Sequence, residues 1–185
     1  MQRRSNALLF WPVILLVTIV DAVTKNMAER ALTPQRVPHD VLGGVMRLTL
    51  VYNPGAAFGL HLGAQSRVIF TSLTLLALVI LARLYRSTTA GDLLRTLALG
   101  LVCAGAVGNL LDRVRSELGV VDFLDLGWGD VRWPTFNVAD MAVTFGAMLL
   151  AWVLWREDRS DATERESPLF APVAGSALAE PGDLA

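Results

Sequence analysis

Apolar residues occur along this chain in four long runs rather than in short alternating or helical stripes. The first extends from Ala7 to about Met27, the second from Val68 to Tyr85, the third from Leu93 to Leu111 and the fourth from Phe136 to Trp155. Each approaches the about 20 apolar residues that an α-helix needs to cross a bilayer core. Four such runs predict four membrane-spanning helices rather than the buried helices of a soluble domain. Arg3 and Arg4 ahead of the first run give it the outline of a secretory signal peptide. The stretch beyond, "DAVTKNMAER", offers no small-x-small cleavage site, so the run reads as a retained helix.

The polar connections are unequal. Residues Ala28 to Arg67 contain "GGVMRLTLVYNPGAAFGL", in which Val45, Leu48, Leu50 and Tyr52, with Thr49 and Val51 between them, predict a strand. Asn53-Pro54-Gly55 predicts a turn, because Pro fixes φ and Gly accepts positive φ. Residues Val114 to Thr135 hold "VVDFLDLGWGDVRWP", whereas "RSTTAGD" between the second and third runs is short and bland. The two elaborate loops emerge on one face, and chemistry is expected there. Within the third run Gly100, Ala104 and Gly108 recur at four-residue spacing, which lets another helix approach closely. Trp128, Trp133, Trp152 and Trp155 bracket the fourth run as interfacial aromatics do. Residues 1–155 therefore form the membrane unit. Residues 156–185, charged and then rich in Pro, Ala and Gly, read as a disordered tail.

Composition agrees with the pattern. Hydrophobic residues make up 54% of the 185, charged residues 18%, and the mean hydropathy is +0.49. The net charge is −1 and no basic run is present, so nucleic acid is not an expected partner. The single cysteine, Cys103, cannot form an internal disulfide and falls mid-helix, where it serves as a small packing residue. His39 and His61 stand alone, without ligand-spaced neighbours. Neither a metal nor a cofactor is expected. Eight Lys or Arg residues flank each membrane face, so charge bias leaves the orientation open.

Four polar clusters sit where apolar residues would be cheaper. Asp21, Thr24 and Lys25 share one face of the first helix, with acid and base in the favourable i, i+4 order of a self-neutralising pair. Asn109, Asp112 and Arg113 share a face at the end of the third. Arg113 can neutralise a carboxylate, which makes a structural role for Asp112 at least equal to a catalytic one. In the fourth, Asn137 and Asp140 lie at i, i+3. No base follows Asp140 within a turn, and an intramembrane acid without a local partner marks a functional site. Asp122 lies among Val120, Val121, Phe123 and Leu124, an apolar setting that favours its neutral form, although it and Asp125 also fit ordinary solvated loop acids. No Ser or Cys has a His base near these clusters. Several carboxylates at one membrane boundary fit a pair that shares a proton and activates water. They also fit a proton-coupled transporter, or a scaffold in which every cluster is an ion pair.

The ordered motifs "DAVTK", "YNPGAAFG", "GNLLDRV", "VVDFLDL" and "FNVAD" separate these readings. Together they resemble the lipoprotein signal peptidase family (signal peptidase II), over about residues 8 to 155. Ala22 stands where the family pattern has Gln, and the spacer Val114 to Val121 is slightly long. The resemblance implies a bacterial inner-membrane aspartic endopeptidase that cuts just before the diacylglyceryl-modified lipobox cysteine of prolipoproteins. It implies four transmembrane helices in an otherwise all-α membrane fold, both termini cytoplasmic, with a small β-cradle and a loop helix at the outer face. The implied catalytic pair is Asp122 and Asp140. Asn53, Gly55, Asn109, Arg113 and Asn137 match groove-lining positions, and Asp21, Lys25 and Asp112 give structural support. Lipid-modified prolipoproteins and membrane lipids are the expected partners of a monomeric chain.

Overall fold

The computed structural model describes residues 3–55 and 65–165. Its helices are α1 (Arg3–Ala31), α2 (Ser66–Ser87), α3 (Leu93–Arg115) and α4 (Val138–Arg165). All four are long and apolar enough to cross a membrane. Strands β1 (His39–Leu42) and β2 (Met46–Asn53) come from the first elaborate loop; β3 (Val120–Trp128) and β4 (Val131–Arg132) come from the second. They form one antiparallel sheet in the order β1-β2-β3-β4. The membrane part is thus helical, with a sheet carried at one end. No helix occurs among the described residues of the two loops. The residues 56–64 that could hold the expected one, His61 among them, lie outside those described.

Helix α3 is the axis of the bundle, packing against α1, α2 and α4. Its small residues explain why. Gly100 faces Phe10 and Val13 of α1, where an added Cβ would come within 3.3 Å of Val13 Cγ1. Gly108 lies under the Asp21 carboxylate, 2.6 Å from the position a Cβ would take, and against Ala139 of α4. The tightest crossing falls one residue off the predicted stripe. A Cβ on Gly105 would collide with the Ala139 carbonyl oxygen and the Val143 side chain. A backbone oxygen cannot swing aside as a flexible side chain would. Gly105→Ala is therefore expected to destabilise the protein by about 1–3 kcal/mol, read as a lower Tm in detergent. An unchanged Tm would show that α3 and α4 separate freely.

The sheet is fixed to the bundle by an apolar cluster. Leu50, Val121 and Phe123 pack on Ala28 and Leu32 at the end of α1, with Val138 of α4 against them. This cluster places β3 beside the mouth of α4, and Phe136 reinforces it by exchanging backbone bonds with Leu124. An extra residue in β2 between Leu48 and Val51 breaks the pairing next to Asp122. Such a bulge re-aims neighbouring side chains. Asp125, read as a solvated acid, is buried instead. Arg132 holds it with Nε at 2.8 Å, and Thr49 donates to it at 3.2 Å.

Helix α4 does not stop at Trp155. It continues to Arg165, ten residues into the stretch read as a tail. The charged residues there are adequate helix formers, and side-chain contacts one turn apart support them. Arg156 stacks over Trp152 and Arg159 over Trp155, while Glu157 pairs with Arg95 of α3. Residues 166–185 of that stretch lie outside the described residues.

Candidate active site

The site forms where α1 and α3 end and α4 begins, and it starts from a helix cap. Asn137 precedes the first residue of α4 and Asp140 is the third residue inside it. Asp140 N–H donates to Asn137 Oδ1 at 2.9 Å, and Asn137 N–H donates to Asp140 Oδ2 at 3.2 Å. This reciprocal pair is a capping box, with Asn and Asp in place of the commoner Ser and Glu. Asp21 Oδ1 accepts from Ala139 N–H at 2.8 Å, satisfying another amide of the same helix end. The local reason for a carboxylate at this helix mouth is thus plain. It meets amides that have no partner within the helix and the positive end of the helix dipole.

The Asn137 side chain, fully buried, does a second task. Its Nδ2 donates to Asp122 Oδ1 at 2.7 Å, and also lies 3.1 Å from Asn109 Oδ1 and 3.2 Å from Val121 O. Asp122 enters from β3, its other oxygen accepting from Asn53 Nδ2 at 3.1 Å. The orientation of Asn53 follows from the Asn-Pro-Gly turn, since its Oδ1 accepts from Gly55 N–H at 3.0 Å and leaves the NH₂ group for Asp122. Asp140 Oδ1 accepts from Asn109 Nδ2 at 2.7 Å. Asn137 therefore serves both carboxylates, its side-chain NH₂ donating to Asp122 and its backbone N–H to Asp140, and each acid accepts from one further side-chain amide, Asn53 or Asn109. Burial, and secondarily the Asp140 charge, push Asp122 up to about 7 against the opposing bonds from Asn53 and Asn137 and the charge of Lys25.

Arg113 donates from Nη1 to Asn109 O at 3.1 Å, within its own helix. Its Nε is buried with no hydrogen-bond partner. Beneath lies a second layer. Lys25, 1% exposed, places Nζ 2.7 Å from Asp21 Oδ2, 2.9 Å from Asp112 Oδ2 and 3.0 Å from Asn109 Oδ1. Asp112 also accepts from Val121 N–H at 3.2 Å. Its salt-bridge partners are Lys25 and Arg115, and the adjacent Arg113 reaches it only through its charge.

The described residues bring Asn53, Gly55, Asn109, Asp122, Asn137 and Asp140 into one hydrogen-bonded group joined to Asp21, Lys25 and Asp112, whereas Asp125 is held apart by Arg132. Asn109 and Asn137, expected to face a substrate, spend their amides on the carboxylates. The capping box is legible in the Asn137–Asp140 spacing. The contacts of Val121 and Ala139 had no local signal, whereas that of Arg115 follows from its i, i+3 spacing to Asp112. Among the described residues no group of His, Cys, Asp and Glu is placed to hold a metal ion.

Comparison with known proteins gives the chain a family. The family model for signal peptidase (SPase) II matches residues 13–156. The chain belongs to the signal peptidase II family. It is 43% identical over 141 residues to the lipoprotein signal peptidase of Moorella thermoacetica, across 76% of this chain and 88% of that one. It is 38% identical over 159 residues to that of Geobacter metallireducens, across 84% and 96%. A solved bacterial membrane enzyme, determined by the in meso method at 2.3 Å resolution, superposes with a TM-score of 0.73 at 27% identity. That match covers 91% of this chain and 94% of the other. Membership makes this protein an aspartic endopeptidase, and its four apolar helices make it a multi-pass bacterial membrane protein.

Proposed function

We propose that this peptidase removes signal peptides from prolipoproteins by cutting just before the diacylglyceryl-modified lipobox cysteine, with Asp122 and Asp140 as its catalytic pair. The observation that carries this reading is Asn137, which donates from its side chain to the Asp122 carboxylate and from its backbone N–H to the Asp140 carboxylate at the mouth of a membrane helix. The curated relatives named above are lipoprotein signal peptidases, which supports the substrate class.

The chemistry follows from the surroundings of each acid. Asp122, pushed up to about 7 by burial, is the member of the pair that holds a proton up to neutral pH. Asp140 accepts N–H donors on both oxygens and is the acceptor of the pair. A water between them gives a proton to Asp140 while its oxygen attacks the scissile carbonyl carbon. Asp122 gives its proton to the carbonyl oxygen, yielding a neutral tetrahedral diol. Collapse returns a proton from Asp140 to the leaving amine of the cysteine as the C–N bond breaks, and Asp122 regains its own. Arg113 is the cation whose charge reaches both acids. The site lies on the extracytoplasmic side, with both termini cytoplasmic, since signal peptides are cut after translocation. Incubation of the purified chain with a diacylglyceryl precursor, followed by mass mapping, is expected to give a product beginning at the lipidated cysteine. Cleavage elsewhere, or proton flux without cleavage, would overturn the reading.

A further inference from the structure

The Lys25 ammonium has one bond more than a structural ion pair requires. Asp21 and Asp112 already flank it with two carboxylates, yet its third donor goes to the side-chain carbonyl of Asn109. We propose that Lys25 is a positioning residue of the dyad: by holding Asn109 Oδ1 it turns the Asn109 NH₂ group onto Asp140. The inference rests on the catalytic pair proposed above.

The argument is one of donors and acceptors. An amide can be flipped end for end at almost no steric cost, so its neighbours decide its orientation. Lys25 Nζ has only donors, and Asn137 Nδ2 is also a donor; both point at Asn109 Oδ1, at 3.0 and 3.1 Å. A flip would set the Asn109 NH₂ group against these two donors and its oxygen against the Asp140 carboxylate. The observed orientation instead delivers an N–H to Asp140 Oδ1 at 2.7 Å. The full charge on one end of the amide polarises it and strengthens the donor at the other end. Lys25 is 1% exposed, so water does not substitute for it.

Charge reaches the reacting carboxylate along a defined line from α1 through α3 to α4, without Lys25 touching Asp140. The other charged groups facing this line are Asp21 from α1, Asp112 and Arg113 from α3, and Asp122 from β3. Asp21 and Asp112 hold Lys25 in place. The lysine thereby sets the acceptor geometry of Asp140, a task separate from bracing α1 against α3.

Two variants test this, assayed as purified enzymes on a diacylglyceryl precursor peptide. Asn109→Asp keeps the shape and offers Lys25 its acceptor, but turns a carboxylate oxygen onto Asp140. Its kcat at neutral pH is expected to fall on the order of 100-fold, the effect of losing one oriented donor at a reacting group. Activity should recover as pH falls and the new acid is protonated, with KM little changed. The triple variant Lys25→Met, Asp21→Asn, Asp112→Asn removes the cation together with both counter-ions, so no buried charge is left unpaired. Folded triple variant is expected to show the same fall in kcat, whereas a merely structural Lys25 predicts wild-type kcat and pH profile. If the triple variant does not fold, Asn109→Asp decides alone. A wild-type profile for Asn109→Asp overturns the proposal. Failure of the unmodified enzyme to cleave, or persistence of cleavage in Asp122→Asn, would instead overturn the function on which it rests.

Discussion

Asp122→Asn and Asp140→Asn are each expected to abolish nearly all turnover, with kcat falling on the order of 10⁴-fold, as for an essential member of a catalytic unit. Asn preserves the shape of Asp but keeps only one of its two acceptors; at position 122 its NH₂ group faces the Asn53 or the Asn137 amide donor. It cannot exchange a proton with its partner. Because the two acids act on one water, the double variant should be hardly worse than either single one. The pH profile carries the same signature. Asp122 titrates near 7, pushed up first by burial and then by the Asp140 charge. It is therefore protonated below that pH and ionised above it. The enzyme loses its proton donor as pH rises, and kcat should fall about tenfold per unit well above pH 7. Asp112→Asn is the contrast. It weakens the grip on Lys25 and on the Val121 amide, lowering stability while leaving measurable cleavage. A folded but dead Asp112→Asn beside an active Asp122→Asn would reverse the assignment.

Removing the diacylglyceryl group from the precursor should lower kcat/KM by about 100-fold or more, the gain that tethering gives a second binding event. On the function proposed above, the anchor holds the lipobox cysteine at the depth of the helix mouth where Asp140 is fixed. Among the residues of α2, Ser66 and Leu81 are the buried ones, so most of that helix presents apolar surface on which acyl chains are at home. The comparison uses the same peptide with and without the lipid, in the same bilayer. Equal rates for both forms would show that depth is set by the peptide alone.

What the sequence disclosed and what it hid divide by range. The four spans were legible because a bilayer demands long apolar runs. β2 was legible from its β-branched and aromatic residues before an Asn-Pro-Gly turn. The Asp21–Lys25 pair was legible because its members lie four residues apart on a helix. The link from Lys25 to Asn109 crosses 84 positions, and nothing local to either residue announces it. Adjacency in sequence indicated that Asp112 and Arg113 pair elsewhere; Asp112 does so with Lys25 of α1, while Arg113 bonds within its own helix, to Asn109 O. The length of α4 was missed for a different reason. Its last turns are polar on every side, so hydropathy ends where the membrane ends, and the helix does not.

The capped start of α4 also bears on how the enzyme tolerates drying. A helix end in a bilayer normally depends on water or protein to satisfy its loose amides. Here the N–H groups of Asn137, Ala139 and Asp140 are all taken by side chains. When a lipid-linked substrate sweeps solvent from the mouth, these amides are not left stranded. The cost of dehydration then falls on the reacting water and its two carboxylates, where a higher starting energy shortens the climb to reaction, and the scaffold beneath them stays indifferent to whether the cleft is wet or full.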